Sequence, residues 1–239
     1  SWTSLAASVL YLRNIFGSGD GTGHLWSLSL EEQFYVTWPL LLFLAFRRRT
    51  RLAVALVVSM AVWRALAVHF RLVDESSGAL YTRPWFRYDS ILYGCLIALV
   101  LANRPDGWQR AVRLLHPVLT IPLLIAATTI SPTSPLEPLS LTFQALLAAA
   151  ATLSVVVCPP TSLVYRVLAS SPLRLLGRIS YALYLWQQPF IVIRTPPWRG
   201  MRELPINVLV ALALAFASHY VVERPFLELK HRFSLRSEA

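Results

Sequence analysis

Apolar runs of thirteen to nineteen residues recur along the whole of this 239-residue chain, separated by short clusters of arginine. A run of that kind has few structural options. In hydrocarbon the backbone N–H and C=O groups find no water, so each segment must satisfy its own hydrogen bonds, and a helix does so internally. Eight candidate spans can be read: Ser1–Phe16, Leu30–Phe46, Leu52–Phe70, Ser90–Ala102, Pro117–Ile130, Leu139–Val157, Ile179–Ile193 and Pro205–Val222. Several are shorter than the ~20 residues a bilayer asks for, and Ser90–Ala102 is expected to extend back through Trp85 or to lie tilted or re-entrant. Composition agrees: the chain is 56% hydrophobic and 14% charged, with a mean hydropathy of +0.54, whereas soluble domains carry about 25% charge. The expected fold is all-α, a polytopic bundle in one domain covering residues 1–239. No internal repeat or low-complexity linker divides it.

The formal net charge of +10 does not indicate nucleic acid, because the basic residues form no stripe and match no nucleic-acid module. They alternate between the connections instead. Fourteen fall in one set, from Arg47, Arg48, Arg49 and Arg51 through Arg104, Arg110, Arg113, Arg166, Arg174 and Arg178 to Arg224, Lys230, Arg232 and Arg236. Six fall in the other: Arg71, Arg83, Arg87, Arg194, Arg199 and Arg202. Positive residues favour the cytoplasm, so the larger set and the C-terminus are expected there, in a multi-pass protein of the cell membrane, with His24 at the outer end of the second span. All but one of the 22 basic residues are arginine, which suggests a GC-rich bacterial genome. Cys95 and Cys158 lie far apart, with no CxxC and no disulfide framework. No metal site, P-loop, GxGxxG, HExxH or Gly-x-Ser-x-Gly is present. Ser1 is not an initiator Met, and no signal peptide follows it, so the chain is expected to begin in mid-protein.

One segment is out of keeping with its surroundings. HLWSLSLEEQFY, His24 to Tyr35, brings a histidine and two adjacent carboxylates to the mouth of an apolar run. Helical spacing puts His24, Leu28, Glu31, Tyr35 and Trp38 on one face. Glu32 falls elsewhere, and Ser29-x-x-Glu32 reads as a capping box. Glu31 beside Tyr35 and Trp38 is expected to be buried, and a carboxylate at membrane depth points to function by default. Arg64 lies within the third span, where it must pair with a carboxylate, meet a phosphate, or reach the interface. Arg87-Tyr88-Asp89 is either an interfacial ion pair with Asp89 as a helix N-cap or part of a substrate site. His69-x4-Asp74 reads as a solvated loop rather than an acyl-transfer motif. Tyr181, Tyr184 and Trp186 precede Gln187 and Gln188 in the seventh span, a pattern open to structural or functional readings. Glu223-Arg224-Pro225 reads as a cytoplasmic ion pair, and His219 as a packing residue.

HLWSLSLEEQFYVTWPLLL resembles the signature segment of the acyltransferase-3 family of integral membrane acyltransferases. WFRYDSILYGCLIAL, GRISYALYLWQQPF and HYVVERPF resemble later segments of that family, in the same order, and SWTSLAASVLYLRNIF fits what precedes the signature. The resemblance implies transfer of an acyl group, commonly acetyl from acetyl-CoA, to a hydroxyl of a sugar, cell-envelope glycan, lipid-linked glycan or glycosylated metabolite. It makes Trp26, Ser27, Glu31 and Tyr35 the matched positions. It also implies an upstream Arg and His, the latter taken as the base, which would precede Ser1, together with further spans. Without them a truncated, inactive membrane fragment is a further reading. Many relatives carry His where this chain has Gln187, which cannot carry a proton as imidazole does. The expected site therefore comprises Glu31, His24 and Ser27 as catalytic groups, and Trp26, Tyr35, Arg87, Asp89, Tyr184, Trp186 and Gln187 as substrate contacts. Arg64, Arg174 and Arg178 are expected to meet the phosphates of an acyl-CoA donor. The partners implied are membrane lipid, acyl-CoA and a sugar or glycan acceptor. The competing reading is a permease for a small polar solute, with Glu31, Arg64 and Arg87 lining its path. Oligomeric state is not set by the sequence.

Overall fold

A computed structural model describes residues 2–16, 22–74, 77–103, 116–129, 137–192 and 203–229. Everything regular in those residues is helical. The elements are α1 (Trp2–Val9), α2 (Trp26–Leu44), α3 (Arg49–His69), α4 (Ala79–Thr82), α5 (Pro84–Arg87), α6 (Asp89–Asn103), α7 (Pro117–Thr128), α8 (Glu137–Val156), α9 (Leu163–Leu168), α10 (Ser171–Gln187) and α11 (Ile206–Ser218). A 3₁₀ turn, Gly23–Leu25, precedes α2, and π-helical segments, Gln188–Val192 and His219–Glu223, follow α10 and α11.

The all-helical expectation holds, but eight spans do not emerge. Among the described residues three helices are long and apolar enough to cross a bilayer: Arg49–His69, Leu139–Val156 and Ile206–Leu229. The first has 21 residues, which at 1.5 Å per residue reach about 31 Å, the thickness of a hydrocarbon core. Asp89–Ala102 and Pro117–Thr128 are apolar but shorter. The expected span Ser1–Phe16 stops at Val9. Tyr11 turns left-handed, with φ of 53°, while Leu12 N–H reaches back to Ala7 O at 2.8 Å and Tyr11 N–H to Ser8 O at 3.4 Å. That is a Schellman ending. α3 ends the same way at Arg71 (φ 51°), with Leu72 N–H on Ala67 O at 2.8 Å. α10 begins at Ser171, eight residues before the expected start at Ile179. Nine of the arginines and lysines behind the charge alternation (Arg104, Arg110, Arg113, Arg194, Arg199, Arg202, Lys230, Arg232 and Arg236) lie outside the described residues.

Two compact units emerge, one of residues 1–18 and 25–166, the other of residues 19–24 and 167–239. In the first, α3, α6 and α8 pack on one another and α7 lies along α8. The core joins Phe34 and Trp38 of α2 to Ala53 and Val57 of α3, Leu92 and Tyr93 of α6, and Ala145 of α8. Phe34 stacks on Trp38 at 5.8 Å and meets Tyr88 edge-on at 5.5 Å. A second cluster gathers Ala67, Leu80, Phe86 and Leu141 beneath the short helices α4 and α5. Small residues where α3 and α8 touch their neighbours let backbones approach, which is how helices bind one another where no hydrophobic force acts between them. In the second unit α10 packs against α11, with Ile179 and Ala182 buried on one side and Ala211 and Ala215 on the other.

Candidate functional site

The signature segment folds as a 3₁₀ turn running into α2, and its buried stripe is Leu30, Phe34 and Trp38, spaced i, i+4, i+8. That stripe determines where the carboxylates go. Glu31 lies to one side of it, about 60° around the helix from Phe34, and the side chain is exposed, as is Tyr35 at 59%. The expected burial of Glu31 is therefore overturned: two aromatic rings, being the larger apolar groups, take the core side of α2. Trp38, only about 20° from Glu31 in helical projection, is buried while Glu31 and Tyr35 are exposed, so the edge of the buried side runs through the face they share. The capping box is also absent. α2 begins at Trp26, three residues before Ser29, and no side chain caps it at Leu25. Trp26 and Ser27, at the first turn, are half-buried.

Ser29, expected at a cap, is a buried junction instead. Its hydroxyl donates to Leu25 O at 2.9 Å and accepts from Arg13 N–H at 3.2 Å. One turn further on, Gln33 and Asn14 exchange amide hydrogen bonds at 2.9 and 3.0 Å, and Gln33 Nε2 also donates to Tyr11 O at 2.7 Å. Arg83 Nη1 donates to Ile15 O at 2.8 Å. The segment following α1 is thus latched to α2 by polar side chains. Sequence reasoning passed over Asn14 and Gln33 and gave Ser29 a different role. Their signal was present, as amides and a hydroxyl in apolar surroundings that must find partners.

Arg64 acquires the partner that the sequence left unnamed. Its Nη2 lies 2.6 Å from Asp89 Oδ2 and its Nη1 3.3 Å from Oδ1, a two-pronged pair with both side chains essentially inaccessible. Nη2 also donates to Thr142 Oγ1 at 2.6 Å, and Nη1 to Phe86 O. One guanidinium therefore ties α3 to α5, α6 and α8. Buried this way, Arg64 has no face left for a CoA phosphate, and Asp89 is neither an interfacial group nor a side-chain cap. Arg87 is separate from this pair. It is partly buried, its Nε lies buried without a hydrogen-bond partner, and Asp89, the carboxylate that acts on it, is already closed on Arg64.

In the second unit, Tyr184 of α10 donates its hydroxyl to His24 O, and the two rings meet edge-on at 5.7 Å. His24 lies in the turn outside the helices. Burial pushes its imidazole below the usual range, and the backbone of Leu185 offsets only part of that. A histidine in this setting is neutral at pH 7, with one ring nitrogen able to accept a proton. Trp186 and Gln187 are half-buried at the end of α10, where it loosens into a π turn at Pro189. Arg174 and Arg178, one turn apart, are both exposed near the start of α10 and open to an anion. The expected Glu223–Arg224 pair is not formed. Glu223 Oε2 lies 2.8 Å from His219 Nδ1, and Arg224 binds Glu228 at 2.8 Å. His219 is thus a polar partner and not merely packing. No group of three or more His, Cys, Asp or Glu able to hold a metal occurs among the described residues.

Comparison with known proteins places these features in a family. YrhL of Bacillus subtilis (strain 168), which carries a provisional peptidoglycan O-acetyltransferase name, is 31% identical over 224 residues, covering 88% of this chain and 35% of its own. The peptidoglycan O-acetyltransferase OatA of Listeria monocytogenes is 27% identical, over 88% of this chain and 36% of its own. The O-acetyltransferase OatA of Staphylococcus aureus (strain NCTC 8325) is 27% identical, over 94% and 39%. The chain thus spans between a third and two fifths of the relatives it matches. No solved structure matches it. The acyltransferase-domain family matches residues 1–223, nearly the whole chain, with the HLWSLSLEEQFY helix and the buried Arg64–Asp89 pair inside the matched region, and the chain belongs to that acyltransferase-3 family.

Proposed function

We propose that this chain transfers an acyl group, acetyl being the one named among its relatives, from an acyl-CoA to a hydroxyl of a cell-envelope glycan, at the bacterial cell membrane. The family match across residues 1–223 carries the reading, and the relatives named for peptidoglycan O-acetylation suggest the class of acceptor. The reaction needs a proton acceptor, a group that orients it, and cations for the donor. The acceptor O–H gives up its proton to a base, and its oxygen forms a bond to the thioester carbonyl carbon. The C–S bond breaks, and the CoA thiolate leaves and is protonated. His24, half-buried and with its imidazole held below the usual range by that burial, has the protonation state of a base. Glu31 and Tyr35, both exposed on α2, are accessible to a substrate without any rearrangement of the core. Arg174 and Arg178 present two guanidinium groups suited to the phosphates of a CoA, which Arg grips in a planar fork. Trp26, Ser27, Trp186 and Gln187 remain the proposed contacts to substrate.

The permease reading, which relied on Glu31, Arg64 and Arg87, loses one of those charges, since Arg64 is closed on Asp89 and Thr142. The test is direct. Membranes bearing the chain are supplied with acetyl-CoA labelled in the acetyl group and with a peptidoglycan acceptor, and base-labile label on the glycan is counted. Label should appear and should fall at least tenfold in Glu31→Gln. If wild-type membranes esterify no acceptor, the reading fails.

A further inference from the structure

α5, Tyr88 and α6 form one almost continuous helical run, because Tyr88 keeps helical angles (φ −61°, ψ −24°) and Leu92 N–H still reaches Tyr88 O at 2.9 Å. Along that run Arg87, Ser90, Gly94, Ala98 and Leu101 recur at helical spacing. The last four line an apolar groove of about 310 Å³ whose other wall is α8, including Ala149 and Thr152. Gly94 opens it, since a β-carbon placed there would meet nothing within 4 Å. From Ser90 to Leu101 the groove extends about 16 Å at 1.5 Å per residue, close to the ~15 Å of one leaflet of a 30 Å hydrocarbon core. One turn before its first lining residue stands Arg87, with a buried and unpartnered Nε. Ser90 Oγ donates to Arg87 O at 2.7 Å, so the arginine and the groove's end belong to one local structure.

A leaflet-length trough of small and apolar residues, continued at one end by an arginine whose neighbouring carboxylate is already taken, matches the two ends of a lipid. We propose that this groove holds an anionic phospholipid, its phosphate on Arg87 and one acyl chain lying along Gly94, Ala98 and Leu101. Hydrocarbon gains little from leaving the bilayer for an apolar groove, so tail contact supplies close packing and the arginine supplies selectivity. A single basic residue near the surface favours a net negative headgroup by about five-fold. This site is independent of the acyl-transfer reading, since it needs neither donor nor acceptor.

The chain purified in detergent, offered equal amounts of phosphatidylglycerol and phosphatidylcholine with identical acyl chains, is examined by native mass spectrometry. Wild type should retain the glycerol lipid about five-fold in excess. Arg87→Gln should equalise the two, Ala98→Phe should lower retention of both by filling the trough, and Arg71→Gln, a change to an exposed arginine in a loop, should leave the preference intact. Equal retention by wild type overturns the proposal. So does an undiminished preference in Arg87→Gln. If Ala98→Phe keeps wild-type retention and preference, a soluble-anion site is indicated in place of a lipid groove, and the proposal again fails. Should Arg87→Gln not fold, the wild-type preference and the Ala98→Phe result still decide.

Discussion

Removing Asp89 takes from Arg64, a charge buried in the first unit with no access to water, its paired carboxylate. In Asp89→Ala the guanidinium loses contacts of 2.6 and 3.3 Å and keeps the neutral acceptors Thr142 Oγ1 and Phe86 O. Breaking one side of a buried ion pair costs about 3–5 kcal/mol, because the remaining charge stays desolvated and uncompensated. For a chain of this size that corresponds to a fall in apparent melting temperature of roughly 6–20 °C. Replacing both partners with apolar residues of similar volume removes the stranded charge, so Arg64→Met with Asp89→Leu should recover most of the loss, as buried pairs elsewhere do. Thr142→Val should cost less, about 1.5–3 kcal/mol, the range for a hydrogen bond to a charged group. The assay is thermal unfolding in detergent, followed by intrinsic tryptophan fluorescence and by monodispersity on size exclusion. If Asp89→Ala melts within 2 °C of wild type, or the double variant is worse than either single one, the pair is not the clamp described above.

The remaining predictions concern the signature helix and the turn before it. Gln33→Leu should destabilise by about 1–3 kcal/mol, because Asn14 would be left buried with unmet hydrogen bonds; loss confined to a few tenths would show the latch to be incidental. Glu31→Gln should leave the melting temperature unchanged, within the ±0.5 kcal/mol of an exposed substitution, so any loss of transfer by that variant reports chemistry and not folding. His24 has a folded pKa below its ordinary value near 6.5, so on acidification the unfolded chain takes up its proton first. Its contribution is complete above about pH 6.5 and declines as pH falls from there towards the folded pKa. Melting curves across that window should show a slope that His24→Gln flattens, and an unchanged slope would assign the effect to another group.

How much of this was legible in the residues differs from element to element. An all-helical chain followed from apolar runs that must satisfy their own backbone, and the family followed from a segment long and unusual enough to be specific. Arg64 was correctly marked as a residue in need of a partner, since a lone guanidinium in an apolar span cannot go unpaired. Its partner was not legible, because Asp89 lies 25 positions away and nothing local joins them. The short α1 was missed for a different reason. The left-handed ending at Tyr11 carries no glycine to mark it, and apolar Leu10 and Leu12 flank it on both sides.

Glu31 shows where one-dimensional reasoning stops. Periodicity places Glu31, Tyr35 and Trp38 along one side of α2, with Leu30 and Phe34 on the adjoining side. It does not state which face turns inward. That depended on which set found neighbours, and Ala53, Val57, Leu92 and Tyr93 supplied the cavity that Phe34 and Trp38 fill. The sequence by itself determined that the chain is helical, largely apolar and built around a few polar groups with obligations to meet. Tertiary structure alone decided how they were met, by placing Asp89 against Arg64 and Asn14 against Gln33, and by leaving Glu31 exposed. Backbone hydrogen bonding and hydrophobicity are local properties of the chain, whereas pairing and burial depend on which distant segments packing brings within a few ångströms.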